Sequence, residues 1–191
     1  GSLCNSLSSM LLLIIVNRIS GESRGGFFAL AYSTAQLLFS VGGFEIRPVQ
    51  STDIKNKFTF DQYFTSRMLN CIIMLICMIG YIVVNGYTGV EALTVFWILG
   101  YRMVEAVADV YSGLFQQRER IDISGKEMLM RSGISTITFT IILWLTDNLL
   151  YAAMTLTLTS LVIMLFYDLH MKKNFEPTPV HLEWRGILGI Y

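Results

Sequence analysis

The sequence predicts an all-α integral membrane protein with six transmembrane helices, on three observations. Hydrophobic residues make up 53% of the chain and charged residues only 15%, whereas about a quarter of a soluble domain is charged. Six apolar segments approach or reach the roughly 20 residues needed to cross the hydrocarbon core of a bilayer. Eleven of the fourteen Lys and Arg residues fall in every second gap between these segments, and short cationic loops stay on the cytoplasmic side.

The apolar segments define the predicted architecture in chain order. We expect a transmembrane lobe over residues 1–175, followed at 176–191 by a linker or the start of another helix. The first span is short and begins almost at residue 1, which suggests a fragment cut inside its first helix. The predicted spans lie near residues 3–19, 25–44, 66–84, 90–115, 129–146 and 148–167.

The loops give the predicted topology. The turns at 85–89 and 146–148 contain no Lys or Arg, and the first short loop contains Arg18 and Arg24. The remaining gaps are longer and hold four, four and three cationic residues; they are 45–67, 116–131 and 168–191. The long gaps thus hold eleven cationic residues and the alternate gaps two, which places the long gaps and the N-terminus of the chain in the cytoplasm. An even number of spans then returns its C-terminus to the same side.

Two segments fit the Ser/Thr-x-x-Glu/Gln capping box, which satisfies free N–H groups at the start of a helix. They are 59–62 (TFDQ) and 124–127 (SGKE). Both precede apolar runs, so we expect the third and fifth helices to begin several residues before their apolar parts.

The fourth predicted span carries ionisable residues, which are costly within a bilayer unless they pair or line a cavity. At 100° per residue, Arg102, Glu105 and Asp109 share one helix face, and Ser112, Gly113 and Gln116 continue it. This continuous polar stripe indicates a water-filled cavity. The alternative is that Arg102 and Glu105, at i and i+3, neutralise each other inside the bundle while Asp109 reaches the headgroups.

Two further polar residues are candidates on the first two spans. Gln36 belongs to a series of small residues at spacings of four and three, which usually indicates close helix packing, although its amide could also turn to a polar ligand. Asn5 shares a face with Ser2 and Ser9, and this face fits a cavity wall or a packing seam equally well.

Other chemistry is not indicated. The sequence contains no P-loop, paired-His motif, Gly-x-Ser-x-Gly or Cys-x-x-Cys. The three cysteines and two histidines have no metal-ligand spacing, and the net charge of zero provides no field that would attract nucleic acid. We therefore predict no enzyme activity, cofactor, metal or nucleic-acid partner.

Several stretches resemble bacterial Wzx-type polysaccharide exporters, which flip lipid-linked oligosaccharides. They are 26–31 (GFFALA), 35–38 (AQLL), 43–53 (GFEIRPVQSTD), 58–63 (FTFDQY) with Arg67, 101–109 (YRMVEAVAD) and 113–118 (GLFQQR). The spacing of Arg47, Gln50 and Asp53 carries most of the similarity.

The resemblance implies the fold of the multidrug/oligosaccharidyl-lipid/polysaccharide exporter superfamily, in which two six-helix lobes work by alternating access. The chain would be the N-terminal lobe, with membrane lipids and a C-terminal lobe of the same protein as partners, in the bacterial cytoplasmic membrane. The substrate would be a polyprenyl-pyrophosphate-linked oligosaccharide for surface polysaccharide or lipopolysaccharide.

The resemblance also assigns roles at the cavity. Arg102, with Arg18 and Arg47 as further candidates, would hold the pyrophosphate through charge-assisted hydrogen bonds. Four other residues would meet sugar hydroxyls or couple to a cation; they are Glu105, Asp109, Gln36 and Asn5. Gln50 and Asp53 are also candidate cavity residues.

Two alternatives stay open. A cation-coupled multidrug exporter of the same fold would rely on an acidic residue in an apolar pocket, and Arg102 would repel cationic drugs there. A membrane enzyme that modifies a glycan or lipid would need an acid–base or metal cluster. The loop acids that could form one are scattered through segments predicted to be solvated; they are Asp53, Asp61, Asp122 and Glu127.

Overall fold

The computed structural model describes residues 2–43, 46–53, 57–175 and 181–183, with side chains in these ranges except 2–6 and 41–43. Within this part of the chain every regular element is helical, which confirms the all-α prediction. The elements are α1 (Ser2–Gly43), α2 (Ile46–Thr52), α3 (Phe60–Val84), α4 (Gly89–Gln117), α5 (Ile121–Thr146), α6 (Leu149–Ile163), a π-helical turn (Met164–Asp168) and α7 (Leu169–Lys172).

Helix α1 consists of two arms joined at Gly21. Gly21 has φ 83° and ψ 172°, a conformation that is essentially restricted to glycine. The hydroxyls of Ser9 and Tyr32 lie 2.9 Å apart. These residues stand at nearly equal distances before and after the hinge, so the arms fold back on each other. The sequence predicts a loop around Arg18 and Arg24, but a single residue that can adopt this backbone makes the turn.

The helices from α3 onward alternate in direction. The tight turns at 85–88 and 147–148 lie at one end of the bundle together with the α1 hinge, because Arg24 forms an ion pair with Asp147 at 3.1 Å. We call this the short-turn end. The opposite, long-loop end contains α2, residues 118–120 and α7.

Three layers are stacked between these ends. Each of α3, α4 and α5 has ionisable side chains between two apolar sections. The short-turn core includes Met74, Met78, Ile98, Leu99, Phe139 and Leu143. The long-loop core includes Phe60, Tyr63, Val110, Tyr111, Leu114, Phe115 and Ile123. The ionic layer between them contains Arg67, Arg102, Glu105, Asp109, Glu127 and Arg131.

The distribution of exposed side chains differs from that in a water-soluble bundle, since many large apolar residues point outward while the ionic layer is buried. Val84 is 85% and Phe166 78% exposed, whereas Arg67 and Arg102 are each 2% exposed. Large surface patches of apolar side chains mark contact with a membrane or another protein. In the described part of the chain, α3, α5 and the segment Leu149–Lys172 are long and apolar enough to cross a membrane.

The two predicted capping boxes have different outcomes. The box at Thr59 is confirmed: its side chain accepts the Gln62 N–H at 3.2 Å, and the Gln62 side chain accepts the Thr59 N–H. The box at 124–127 is wrong, because α5 begins at Ile121 with Arg120 as its N-cap. Ser124 and Glu127 are instead buried within the helix.

A short C-terminal segment, residues 181–183, packs on the start of α3. The Glu183 carboxylate accepts hydrogen bonds from the Thr59 hydroxyl at 2.7 Å and from the Gln62 amide at 3.3 Å. The Glu183 N–H donates to the Thr65 hydroxyl at 2.8 Å. A carboxylate is favoured at the positive end of a helix dipole, so this segment is fixed to the long-loop end.

Candidate functional site

Arg102 and Glu105 form an ion pair within α4, in the part of the ionic layer nearest the short-turn core. The Arg102 guanidinium also stacks on the Tyr32 ring, with its carbon 4.4 Å from the ring centroid, and donates to the Ser9 hydroxyl at 3.4 Å. The Tyr101 hydroxyl donates to Glu105 at 3.2 Å. Arg102 and Glu105 are only 2% and 4% exposed. In this conformation they neutralise each other inside the bundle.

Asp109 is shared by two arginines on other helices. One carboxylate oxygen lies 2.7 Å from Arg47 Nη1, and the other lies 3.2 Å from Arg67 Nη2. Arg47 also donates to the Gln116 amide oxygen at 3.3 Å and to the Ser124 hydroxyl at 3.5 Å. Among the described side chains, one carboxylate is thus paired with two guanidiniums.

The Arg47–Arg67–Asp109 cluster lines a cavity of about 170 Å³ at the long-loop end. Phe39 and Pro48 form part of its wall. Sites for drug-sized molecules usually occupy about 300–1,000 Å³, so the cavity in this conformation fits a few waters or one small anionic group. Arg47 is 23% exposed and Asp109 21% exposed, but Arg67 is 2% exposed. Arg47 is therefore the more accessible of the two cations.

The predicted trio Arg47, Gln50 and Asp53 lies along one seam between α2 and α4. Arg47 pairs with Asp109, and the Asp53 carbonyl accepts from the Gln117 amide at 2.7 Å. Gln50 is fully buried and packs on Gly113, where an added Cβ would come within 2.3 Å of the Gln50 Oε1 atom. The motif residues, three positions apart, thus contact Asp109, Gly113 and Gln117, which are four positions apart on α4. The motif therefore joins α2 to α4.

The Asp53 carboxylate organises the loop that precedes α3. It accepts the N–H groups of Lys57 at 2.9 Å and Phe58 at 3.0 Å, and the Tyr63 hydroxyl at 3.1 Å. Desolvation on its own would raise the pKa of Asp53, but these hydrogen bonds and the Lys57 charge outweigh it and hold the pKa below its usual value. The Asp53 side chain is thus engaged by its own loop.

A further ion pair, which the sequence does not predict, joins Glu127 and Arg131 on α5. Glu127 Oε1 lies 2.5 Å from Arg131 Nη1, and Glu127 Oε2 accepts from the Ser112 hydroxyl of α4 at 2.7 Å. Glu127 is fully buried, so its interpretation as a solvated loop acid is wrong. The i, i+4 spacing of Glu127 and Arg131 could have predicted this ion pair, because residues four positions apart share a helix face.

The remaining candidates are Gln36 and Arg18, whose side chains the structure describes, and Asn5, whose side chain it does not. Gln36 is half-buried on the second arm of α1, and Arg18 is exposed beside the hinge. Asn5 falls in the first turns of α1, where the side chains lie outside the described residues. Arg67, which is absent from the predicted site, completes the cluster around Asp109.

A second cavity, of about 310 Å³, lies at the short-turn end. Its wall includes Arg24 and Phe27 of α1, Glu91 of α4 and Asp147 of the α5–α6 turn. The Arg24–Asp147 ion pair on its wall is about half exposed, and such pairs contribute about 0–1 kcal/mol. This ion pair therefore adds little to the stability of the short-turn end.

Comparisons of the chain with family models, with curated proteins and with solved structures find no match. In the described ranges, no three His, Cys, Asp or Glu side chains form a group that could hold a metal ion. The structure by itself defines the class: over its described residues the chain is all-helical, with three membrane-compatible helices and a buried layer of ion pairs.

Proposed function

We propose that the chain is the N-terminal lobe of a membrane transporter that flips polyprenyl-pyrophosphate-linked oligosaccharide by alternating access. The transporter would act in bacterial surface polysaccharide biosynthesis and lie in the cytoplasmic membrane, with both ends of this chain in the cytoplasm. The observation that carries the proposal is the ionic layer, because buried ionisable groups between membrane-compatible helices are expensive and mark polar pathways.

The cavity residues favour an anionic headgroup. Arg47 and Arg67 both line this cavity, and guanidinium groups bind phosphate oxygens through paired, charge-assisted hydrogen bonds. Arg47 is the cation that a headgroup can reach, whereas Arg102 is enclosed by Glu105 and Tyr32. We therefore assign the first contact with the pyrophosphate to Arg47, with Asp109 as the internal counter-ion that keeps the arginine in place when no substrate is bound.

The test uses the complete reading frame that contains this chain, expressed in a strain without its own flippase. Arg47→Ala should abolish surface glycan and cause lipid-linked oligosaccharide to accumulate, at an unchanged level of protein in the membrane. Arg47→Lys should retain part of the activity, because it keeps the charge but loses the planar pair of donors. Arg120→Ala is the matched control, since Arg120 is 51% exposed and pairs with Asp122 outside the cavity. Full surface glycan in Arg47→Ala would remove this residue from the mechanism.

A multidrug exporter is the second candidate, and the cavity at the short-turn end favours it. At about 310 Å³ this cavity reaches the size of a drug site, and Glu91 and Asp147 provide negative charge beside Phe27 and Leu149. Efflux of a cationic dye by cells that express the complete protein, lost in Glu91→Gln with surface glycan unaffected, would support the exporter and argue against the flippase.

A further inference from the structure

Asp168 is a buried acid that the proposed function does not use. It ends the π-helical turn Met164–Asp168 and is 0% exposed. Neither of its carboxylate oxygens has a hydrogen-bond partner within the described part of the chain. Buried polar groups in proteins are nearly always hydrogen-bonded, so an acid without any donor requires an explanation.

The charged and titratable groups around Asp168 come from several elements. Glu127 and Arg131 of α5 act on Asp168 electrostatically, and Asp168 acts in the same way on Tyr111 of α4 and on Tyr167 of its own turn. Lys172 is buried four residues further on, with its Nζ atom 4.9 Å from the Phe60 ring centroid. On α3, Asp61 also acts on Tyr111.

The nearest arginine is already engaged by another carboxylate. Arg131 lies 2.5 Å from Glu127, and in the described part of the chain neither Asp168 oxygen accepts a hydrogen bond from it. An ionised carboxylate without a donor is strongly disfavoured in a buried site, and such a group takes up a proton instead. The described residues contain no group of three metal-ligating side chains that could supply a cation site.

We infer that Asp168 is a proton-binding site: in this conformation it carries a proton on one carboxylate oxygen, taken from water. The proton returns to water only when the π-helical turn opens and gives the carboxylate a solvated environment. π-Helical turns occur frequently at functional sites, and here the turn places Asp168 between α4 and α5 beside Glu127. The inference is independent of the flippase proposal, because it concerns no substrate.

The test records the infrared band of protonated carboxyl groups in the purified chain in detergent, over a range of pH. Aspartate labelled with ¹³C at its carboxyl carbon distinguishes Asp from Glu. The wild-type protein should show a protonated Asp band at neutral pH, and Asp168→Asn should lose it. Asp122→Asn is the matched control and should keep it, because Asp122 is exposed and paired with Arg120.

If Asp168→Asn does not fold, the same infrared measurement on Glu127→Gln provides a second test. Removal of the neighbouring negative charge should let Asp168 ionise more readily, so its band should disappear at a lower pH than in the wild type. The inference is overturned if the neutral wild type lacks a protonated Asp band, or if the band survives in Asp168→Asn. It is also overturned if replacing sodium with choline at constant pH and ionic strength lowers the melting temperature of the wild type but not of Asp168→Asn, because that result would indicate a sodium site.

Discussion

The packing of Gln50 on Gly113 predicts that even one methyl group on α4 will disturb the seam with α2. A Cβ at position 113 would stand 2.3 Å from Gln50 Oε1 and 2.8 Å from its Cδ, where ordinary contact begins at 3.4 Å. Gln50 is fully buried, so its amide cannot swing into solvent to relieve the overlap.

The expected cost of Gly113→Ala is that of an overpacked interior, about 1–3 kcal/mol. For a chain of this size, 1 kcal/mol corresponds to a change in melting temperature of about 2–4 °C. The control is Gly133→Ala in α5, where nothing lies within 4 Å of an added Cβ. Because alanine is favoured over glycine inside a helix by about 0.5–1 kcal/mol, the control should melt at the same temperature or higher.

Thermal unfolding of the purified variants in one detergent measures both effects. Adding Gln50→Ala to Gly113→Ala should restore part of the lost stability, since the truncated side chain vacates the space that the methyl group needs. The coupling free energy between contacting residues is typically about 0.5–3 kcal/mol. If Gly113→Ala melts no lower than Gly133→Ala, the seam is not packed as described and the reasoning fails.

Two further predictions concern the backbone and the effect of pH. Gly21→Ala should lower stability by about 1–3 kcal/mol, because φ 83° with ψ 172° is strained for alanine, although space is available; Gly26→Ala, also with open space, is the control in the melting assay. The pKa of Asp53 is lowered on folding, so its contribution to stability is fully present at neutral pH and is lost as the pH falls below about 4. Asp53→Asn should therefore flatten the acid limb of the melting temperature plotted against pH; an unchanged limb would contradict this.

Features that depend on neighbouring residues in the sequence were predictable. The capping box at Thr59 is a pattern of four residues, and the shared face of Arg102, Glu105 and Asp109 follows from helical periodicity alone. The same local pattern misled at 124–127, because Ser and Glu three residues apart also share a face inside a helix. There Glu127 bonds to Ser112 on another helix, and the sequence has no local signal for that contact.

Contacts between helices were not predictable, because they depend on which helices become neighbours. Arg67 is separated from Asp109 by 42 positions and Arg47 by 62. The alternation of apolar and charged sections indicates that these side chains are buried. It does not show that two arginines share one carboxylate. The α1 hinge is a similar case: polar residues from 17 to 26 resemble a loop, but Gly21 alone turns the chain.

If the proposed function holds, the contacts at Arg102 determine which part must move. A headgroup held at Arg47 reaches the deeper part of the ionic layer only when the arms of α1 separate from α4. The Arg102–Glu105 ion pair lies within α4 and can stay intact during this motion. The described contacts of Arg102 that must break are its hydrogen bond to Ser9 and its stacking on Tyr32, both in α1. Such contacts contribute about 1.5–3 and 0.5–2 kcal/mol, which differential ligand binding can supply. Because Ser9 and Tyr32 lie in different arms, the mechanism requires both arms of α1 to move relative to α4.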